Sequence, residues 1–390
     1  VKDTLIYNPT STLPWTQITE HLNSKYQILG TFDLSDFDHD MENLYVELSK
    51  VKLTKYSPTQ KIVLYYYETD FYLSGKSFLL YNLQQILCKL DIPQFAVIML
   101  SAHYGIDREV HTLAKQICND STKMNIWTSS YVQVLANPSA PLNNNSNVDT
   151  IKYPFICLNG TQRTHRLMFL CLLDYLNLVE QGIVTWYFSS NNIKNNRIQR
   201  QKNSLNYDSG CLFLTTVPHS RINDHVTWSN ALHEVFQSHA LKFKGTSRSH
   251  PEVSPYSIDC TVEEHFAKSF LYVITETVYD YPNRLLTEKI FKGFINRRPF
   301  IVVGTPHTLK QLRDLGFKTF DSIIDESYDD IFDPSDRLMA LGKIVKDITS
   351  KPIEVLKEMC YSIEDILEYN HNYYHDNFCK VDLIRKLKSL

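Results

Sequence analysis

Arg163-Thr164-His165-Arg166 sets three basic side chains within four residues, directly after the apolar run PFICL and the pair Asn159-Gly160. The run opens a helical pattern. A helix N-terminus offers backbone N–H groups and a partial positive charge, so cations in its first turn oppose the local dipole. Local helix stability therefore does not explain them, whereas an anionic ligand would. Arg suits phosphate because its planar fork makes two parallel hydrogen bonds. The competing reading is a solvated basic surface, or pairing with nearby carboxylates.

A second cluster follows the apolar run Phe270 to Thr275: Glu276, Tyr279, Arg284, Thr287, Glu288 and Lys289. Thr287 as a cap and Glu288 in a first helical turn have an ordinary structural explanation. Lys289, and Glu276 at a strand end, do not. Ligands of open parallel sheets bind beyond the carboxyl ends of the strands. The other strand ends carry Glu68, Thr69 and Asp70; Ser101, His103 and Tyr104; and Gly304, Thr305 and His307.

Other chemistries find less support. No G-x-G-x-x-G and no G-x-x-x-x-G-K-[ST] is present, which argues against a nucleotide-dependent epimerase or phosphoryl transferase. The eight Cys residues form no C-x-x-C pair and read as reduced, buried thiols. Asp36-Phe37-Asp38-His39-Asp40 contains D-x-D patterns but reads as a solvated loop with helix-capping Asp. A net charge of -3 gives no overall push toward nucleic acid.

The elements that must position these residues alternate. Strands are expected at Leu5–Tyr7, Tyr26–Thr31, Lys61–Tyr67, Phe95–Leu100 and Met124–Trp127, with helices at Pro14–Ser24, Met41–Val51, Ser77–Leu90 and Ile106–Cys118. After a Pro-, Ser- and Asn-rich linker at Asn137–Thr150 the pattern restarts. Strands are expected at Pro154–Leu158, Ile183–Phe188, Phe270–Thr275 and Pro299–Val303. Helices are expected at Thr161–Leu178, Leu286–Ile295 and Thr308–Leu315. Phe317–Phe320 reads as a further strand, with Asp325–Asp330 as its exit loop, and Arg337–Leu390 is nearly all helical in period. Continuous apolar strands separated by helices point to parallel sheets covered on both faces. The expectation is an α/β chain of two Rossmann-like domains, residues 1–140 and 151–335, with a helical C-terminal segment, 336–390, packed on them.

The stretch ITETVYDYPNRLLTEKIFKGFINRRPFIVVG resembles the donor-binding motif of fucosyltransferase-type glycosyltransferases of the GT-B fold. In that motif a Glu ends a strand, a loop follows, then a T-E-K helix and a strand beginning with Pro and ending in Gly; here these are Glu276, Thr287, Glu288, Lys289, Pro299 and Gly304. The continuation TPHTLKQLRDLGFKTFDSIIDESYDDI is similar to glycosyltransferase-like proteins of phages and other large DNA viruses. The resemblance covers about a quarter of the chain, and Thr277 stands where the family has Asn.

The resemblance implies two domains facing a cleft, with a UDP- or GDP-sugar held by the second and no metal required. Glu276 and Glu288 would accept from sugar or ribose hydroxyls. Lys289, Arg163 and Arg166, with His165 beside them and Thr287 before the helix, would surround the diphosphate. An inverting transfer would take its base from the first domain, with Glu68, Asp70 and His103 as candidates. The basic segment Lys194 to Lys202, with Lys242, Lys244 and Arg248, makes DNA a candidate acceptor through a 5-hydroxymethylpyrimidine, which an enzyme would have to flip or reach in a groove. The alternatives are a glycan or protein acceptor, or a non-catalytic nucleotide- or glycan-binding protein. No run approaches the roughly 18 apolar residues that cross a membrane, and Val1-Lys2-Asp3-Thr4 carries no apolar signal core. A soluble cytoplasmic protein is expected, in the host cytoplasm if viral.

Overall fold

Strands made of unbroken apolar runs need cover on both faces, and helices between them supply it. The computed structural model describes residues 22–34, 41–51, 57, 59–66, 77–93, 96–101, 127–130, 148–160, 163–188, 228–243, 246–250, 264–276, 278–279 and 286–376. The chain divides into two units. One comprises Val1–Ser139, Asn283–Glu288 and His375–Leu390, the other Ala140–Pro282 and Lys289–Tyr374.

The first unit holds β1 (Gln27–Asp33), α1 (Met41–Ser49), β2 (Gln60–Tyr66), α2 (Ser77–Lys89), β3 (Val97–Ser101) and β4 (Trp127–Ser130). Its strands lie in the order β1-β2-β3-β4, and every neighbouring pair is parallel. The core joins Ile62 and Leu64 of β2 to Leu44 and Leu48 of α1 and to Leu83, Ile86 and Leu87 of α2. One expectation does not hold. Cys88 faces solvent although it lies in an apolar run, because it sits on the outer side of α2. Of the run expected to close the sheet, Trp127 lies in β4, which continues to Ser130 by pairing with Ile98–Ser101, while Met124–Ile126 lie outside the described residues. Leu5–Tyr7 and Ile106–Cys118 lie outside the described residues.

The second unit holds β5 (Tyr153–Asn159), α3 (Thr164–Tyr175), β6 (Ile183–Tyr187), α4 (Asn230–Phe243), β7 (Ser247–Arg248), α5 (Glu264–Ala267), β8 (Ser269–Thr275), α6 (Glu288–Ile295, belonging to this unit from Lys289), β9 (Phe300–Val303) and α7 (Thr308–Asp314). Three helices follow: α8 (Pro334–Thr349), α9 (Ile353–Ser362) and α10 (Glu364–Tyr373). The sheet runs β7-β6-β5-β8-β9. It is parallel except for β7, which pairs antiparallel with the end of β6.

All seven residues of β8 are buried between β5 and β9. Helix α3 is buried from His165 through Leu173, in keeping with the lack of a polar face in THRLMFLCLLDY, and α4 and α8 pack against it. Gly342 on α8 allows this approach, since a Cβ there would stand 2.7 Å from Leu172 Cδ2. Helix α8 starts where Asp333 accepts from the Ser335 and Asp336 amides, with Pro334 in the first turn.

The expected strand at Phe317–Phe320 does not form. Its apolar residues instead fill the core singly: Phe317 stacks on Phe294 at 4.2 Å and Phe320 meets the edge of Phe300 at 5.1 Å. Nor is the acidic run beyond it a simple exit loop. Ser327–Asp330 is a 3-10 turn, and the buried Asp329 carboxylate caps α7 by accepting from the Leu309 and Lys310 amides, 2.9 Å each.

Gly182, just before β6, tests the packing beneath the sheet. A Cβ there would stand 2.6 Å from the fully buried Phe155 ring. Gly182→Ala should lower unfolding free energy by about 1–3 kcal/mol, read as a shifted urea midpoint with unchanged slope.

Candidate functional site

From β5 the chain crosses through α3 to β6 on one side, and later enters β8 on the other side of β5. The strand order therefore reverses between β5 and β8. In open α/β sheets, such a switch point leaves a crevice at the carboxyl ends of the two strands. Asn159 ends β5 and Thr275 ends β8, both buried. Thr275 Oγ1 donates to Asn159 Oδ1 at 2.9 Å, and Asn159 Nδ2 donates to the Thr185 carbonyl of β6 at 3.3 Å. One amide thus ties three strands. At the next residue, Gly160, a Cβ would meet no described atom within 4 Å.

Helix α3 begins beside this point. Its N-cap residue is Arg163, whose side chain has no acceptor atom to cap the first turn. His165 and Arg166, both buried, turn toward the end of β8. His165 Nε2 lies 2.8 Å from the Glu276 carbonyl oxygen. Arg166 donates to the same oxygen from Nε at 3.3 Å and Nη2 at 3.1 Å. Glu276 is buried; its own N–H extends the ladder by donating to the Val303 carbonyl at 3.0 Å. Gly304 leaves room for it, since a Cβ there would come within 3.3 Å of Glu276 Cβ.

Three residues on, the Tyr279 ring stacks on the His165 ring, centroids 5.3 Å apart and planes 11° off parallel. Trp228 also stacks with Tyr279, at 5.8 Å and 25°. Tyr279 Oη donates to the Pro334 carbonyl at 2.8 Å. The Arg337 guanidinium lies 4.3 Å from the Tyr279 ring centroid, in the range of a cation–π contact. Arg337 is buried and donates to the carbonyls of Gly304, Ile331, Phe332 and Tyr279, at 3.1, 2.7, 3.2 and 2.9 Å. It thereby joins the loop after β8, the end of β9 and the approach to α8.

Burial holds the His165 imidazole neutral well below its ordinary range, and the positive charges of Arg166, Arg163 and Arg337 act in the same direction. The hydrogen bond to Glu276 opposes them more weakly than burial and Arg166 act. The nearby Cys157 thiol is pushed up to about 12, chiefly by burial, so it stays protonated.

The structure thus brings together His165, Arg166 and Glu276, with Arg163 at the same helix start. Lys289, half-buried in the first turn of α6, lies at the carboxyl edge of the same sheet, because α6 links parallel β8 to β9. Thr287, fully buried, directly precedes α6, and Glu288 is its first residue. Glu68, Asp70 and His103 lie outside the described residues, as do Asp36–Asp40, Thr277, Lys194–Lys202 and Lys244. Of the other basic residues, Lys242 is ion-paired with Asp174, and Arg248 makes a two-pronged bridge to Glu180 at 2.5 and 2.8 Å. Among the described residues no group of three or more His, Cys, Asp or Glu could hold a metal ion, and no helix is long and apolar enough to cross a membrane.

Arg337 and Trp228 join the site without having been expected there from sequence. Arg337 carried the signal that singled out Arg163 and Arg166: a cation near a helix start, against the dipole. Trp228 carried none, because its partner Tyr279 is distant in sequence.

The buried neutral His165 gives a pH prediction. Its folded pKa lies below the unfolded value of about 6.5. As pH falls below about 6.5 the unfolded chain takes up the proton first, so stability falls with pH, by at most about 1.4 kcal/mol per unit for one proton. Wild type should therefore lose more stability than His165→Gln between pH 6.5 and 5 in urea titrations; equal losses would place the titration elsewhere.

No protein-family model, no curated protein and no solved structure matches this chain.

Proposed function

We propose that the second unit binds a nucleoside-diphosphate sugar beyond β5 and β8, and that the chain is a GT-B-type glycosyltransferase moving that sugar to an acceptor hydroxyl. The observation that carries this reading is the meeting of the α3 start with the Glu276 segment at the switch point, beside Gly160, where a Cβ would meet no described atom within 4 Å.

Breaking the anomeric C–O bond leaves a nucleoside diphosphate. Positioned cations and a helix N-terminus stabilise the negative charge that develops there. In this reading Arg163 and Lys289 face the diphosphate. Arg166 adds charge and, through the Glu276 carbonyl, positions the segment whose carboxylate accepts from donor hydroxyls. The acceptor is a 5-hydroxymethylpyrimidine of DNA or, alternatively, a glycan or protein hydroxyl; of the basic residues that could meet a phosphate backbone, Lys242 and Arg248 are bridged to Asp174 and Glu180.

The test is a thermal-shift panel of UDP- and GDP-sugars with free sugar-nucleotide in excess. A donor at a hundred times its Kd should stabilise by about 2.7 kcal/mol, a shift of several degrees. Gly160→Leu should remove the shift while leaving the unliganded Tm near wild type. Arg163→Ala should weaken binding by at least tenfold, on the order of 1.5–3 kcal/mol for a lost charge-assisted hydrogen bond. The reading fails if no sugar nucleotide shifts the Tm, or if the shift persists unchanged in Gly160→Leu.

A further inference from the structure

His165 is fixed more tightly than a phosphate-binding side chain needs to be. A carbonyl oxygen can only accept, so the 2.8 Å contact with Glu276 requires the proton to sit on Nε2. Nδ1 is then a lone pair, and among the described residues no group donates to it. The ring is only 6% exposed. It cannot turn over freely: it lies against Tyr279, whose hydroxyl is held by the Pro334 carbonyl and whose ring lies against Arg337. A flip would also forfeit the Glu276 bond. Protonation at Nδ1 would add a cation where the charges of Arg163, Arg166 and Arg337 already act, so this second route to satisfying Nδ1 is closed as well.

The arrangement has a chemical consequence. Guanidinium groups only donate, whereas His165 Nδ1 can only accept. An ionised phosphate oxygen has no proton to give it; a hydroxyl has. We propose that His165 Nδ1 accepts a hydrogen bond from a hydroxyl group of the bound ligand, so that the site reads a sugar hydroxyl beside the diphosphate. This inference rests on the nucleotide-sugar reading of the site and adds a specificity-determining residue to it. It makes the site selective for ligands that pair a diphosphate with a correctly placed hydroxyl, against inorganic pyrophosphate or a deoxy analogue.

The experiment is calorimetric titration of wild type, His165→Gln and His165→Asn with UDP-glucose, UDP and 2′-deoxy-UDP, and with GDP-mannose, GDP and 2′-deoxy-GDP. Gln keeps an amide N–H able to reach Glu276 but has no acceptor at the δ position; Asn keeps a δ acceptor and loses the ε donor. Wild type should bind the hydroxyl-bearing ligand about tenfold more tightly than the analogue lacking that hydroxyl. His165→Gln should lose this preference, so that the protein and ligand changes do not add, while His165→Asn should retain it. A preference over the 2′-deoxy ligand places the hydroxyl on the ribose; a preference over the free nucleotide places it on the transferred sugar. Imidazole nitrogen NMR of wild type should show protonated ε2 and unprotonated δ1. The inference is overturned if His165→Gln discriminates as wild type does, or if the δ1 nitrogen carries the proton. If none of the six ligands binds wild type, the nucleotide-sugar reading fails and the inference goes with it; binding with an unaltered preference in His165→Gln sinks the inference alone.

Discussion

The carbonyl oxygen of Glu276 is the acceptor on which the carboxyl edge of the second sheet depends. β8 ends at Thr275, and its last pair with β5 is Val273 with Cys157. The backbone beyond this pair is still buried, so its polar groups need partners. Glu276 N–H finds one in β9. Its carbonyl finds His165 and Arg166, from the first turn of the helix that follows β5. The two strands that flank the switch point are thus locked above their ends as well as along their ladders, and the helix start is held against the segment that carries the Glu276 carboxylate.

Two buried arginines sustain this edge. Burying a guanidinium is costly unless its donors are used. Arg166 and Arg337 direct theirs at backbone carbonyls, which makes each a cross-link between segments far apart in sequence. Their positive charge remains. With Arg163 it lowers the proton affinity of His165, and it supplies the field that the proposed diphosphate would meet. The same residues therefore build the edge and give it its electrostatic character. This explains why cations oppose the dipole at the start of α3, a cost that helix propensity alone would not leave in place.

Much of the framework was legible because strand burial writes itself as continuous apolar sequence. Gln60–Tyr66, Tyr153–Asn159, Ser269–Thr275 and Phe300–Val303 stand within two residues of the expected runs. The Thr128–Ser130 part of β4 carries no apolar signal and is held by pairing with β3, and α4 went unassigned although Leu232, Phe236, Ala240 and Phe243 repeat at helical spacing. At the site, residue types and strand ends pointed to Arg163, His165, Arg166 and Glu276. They could not show that Arg166 grips a backbone carbonyl, since such a bond leaves no partner residue to recognise in sequence. Nor could they reveal the His165 tautomer, which is fixed by an atom 111 positions away.

In the proposed reading, the joint between α3 and the Glu276 segment is a ligand-binding edge. The most direct measurement is amide hydrogen exchange with and without a saturating nucleoside diphosphate. Slowed exchange confined to the amides of Gly160, Thr164–Arg166 and Glu276 is the expected result. Unchanged exchange at these amides, or protection appearing only at a distant surface, would show that this edge does not bind the nucleotide.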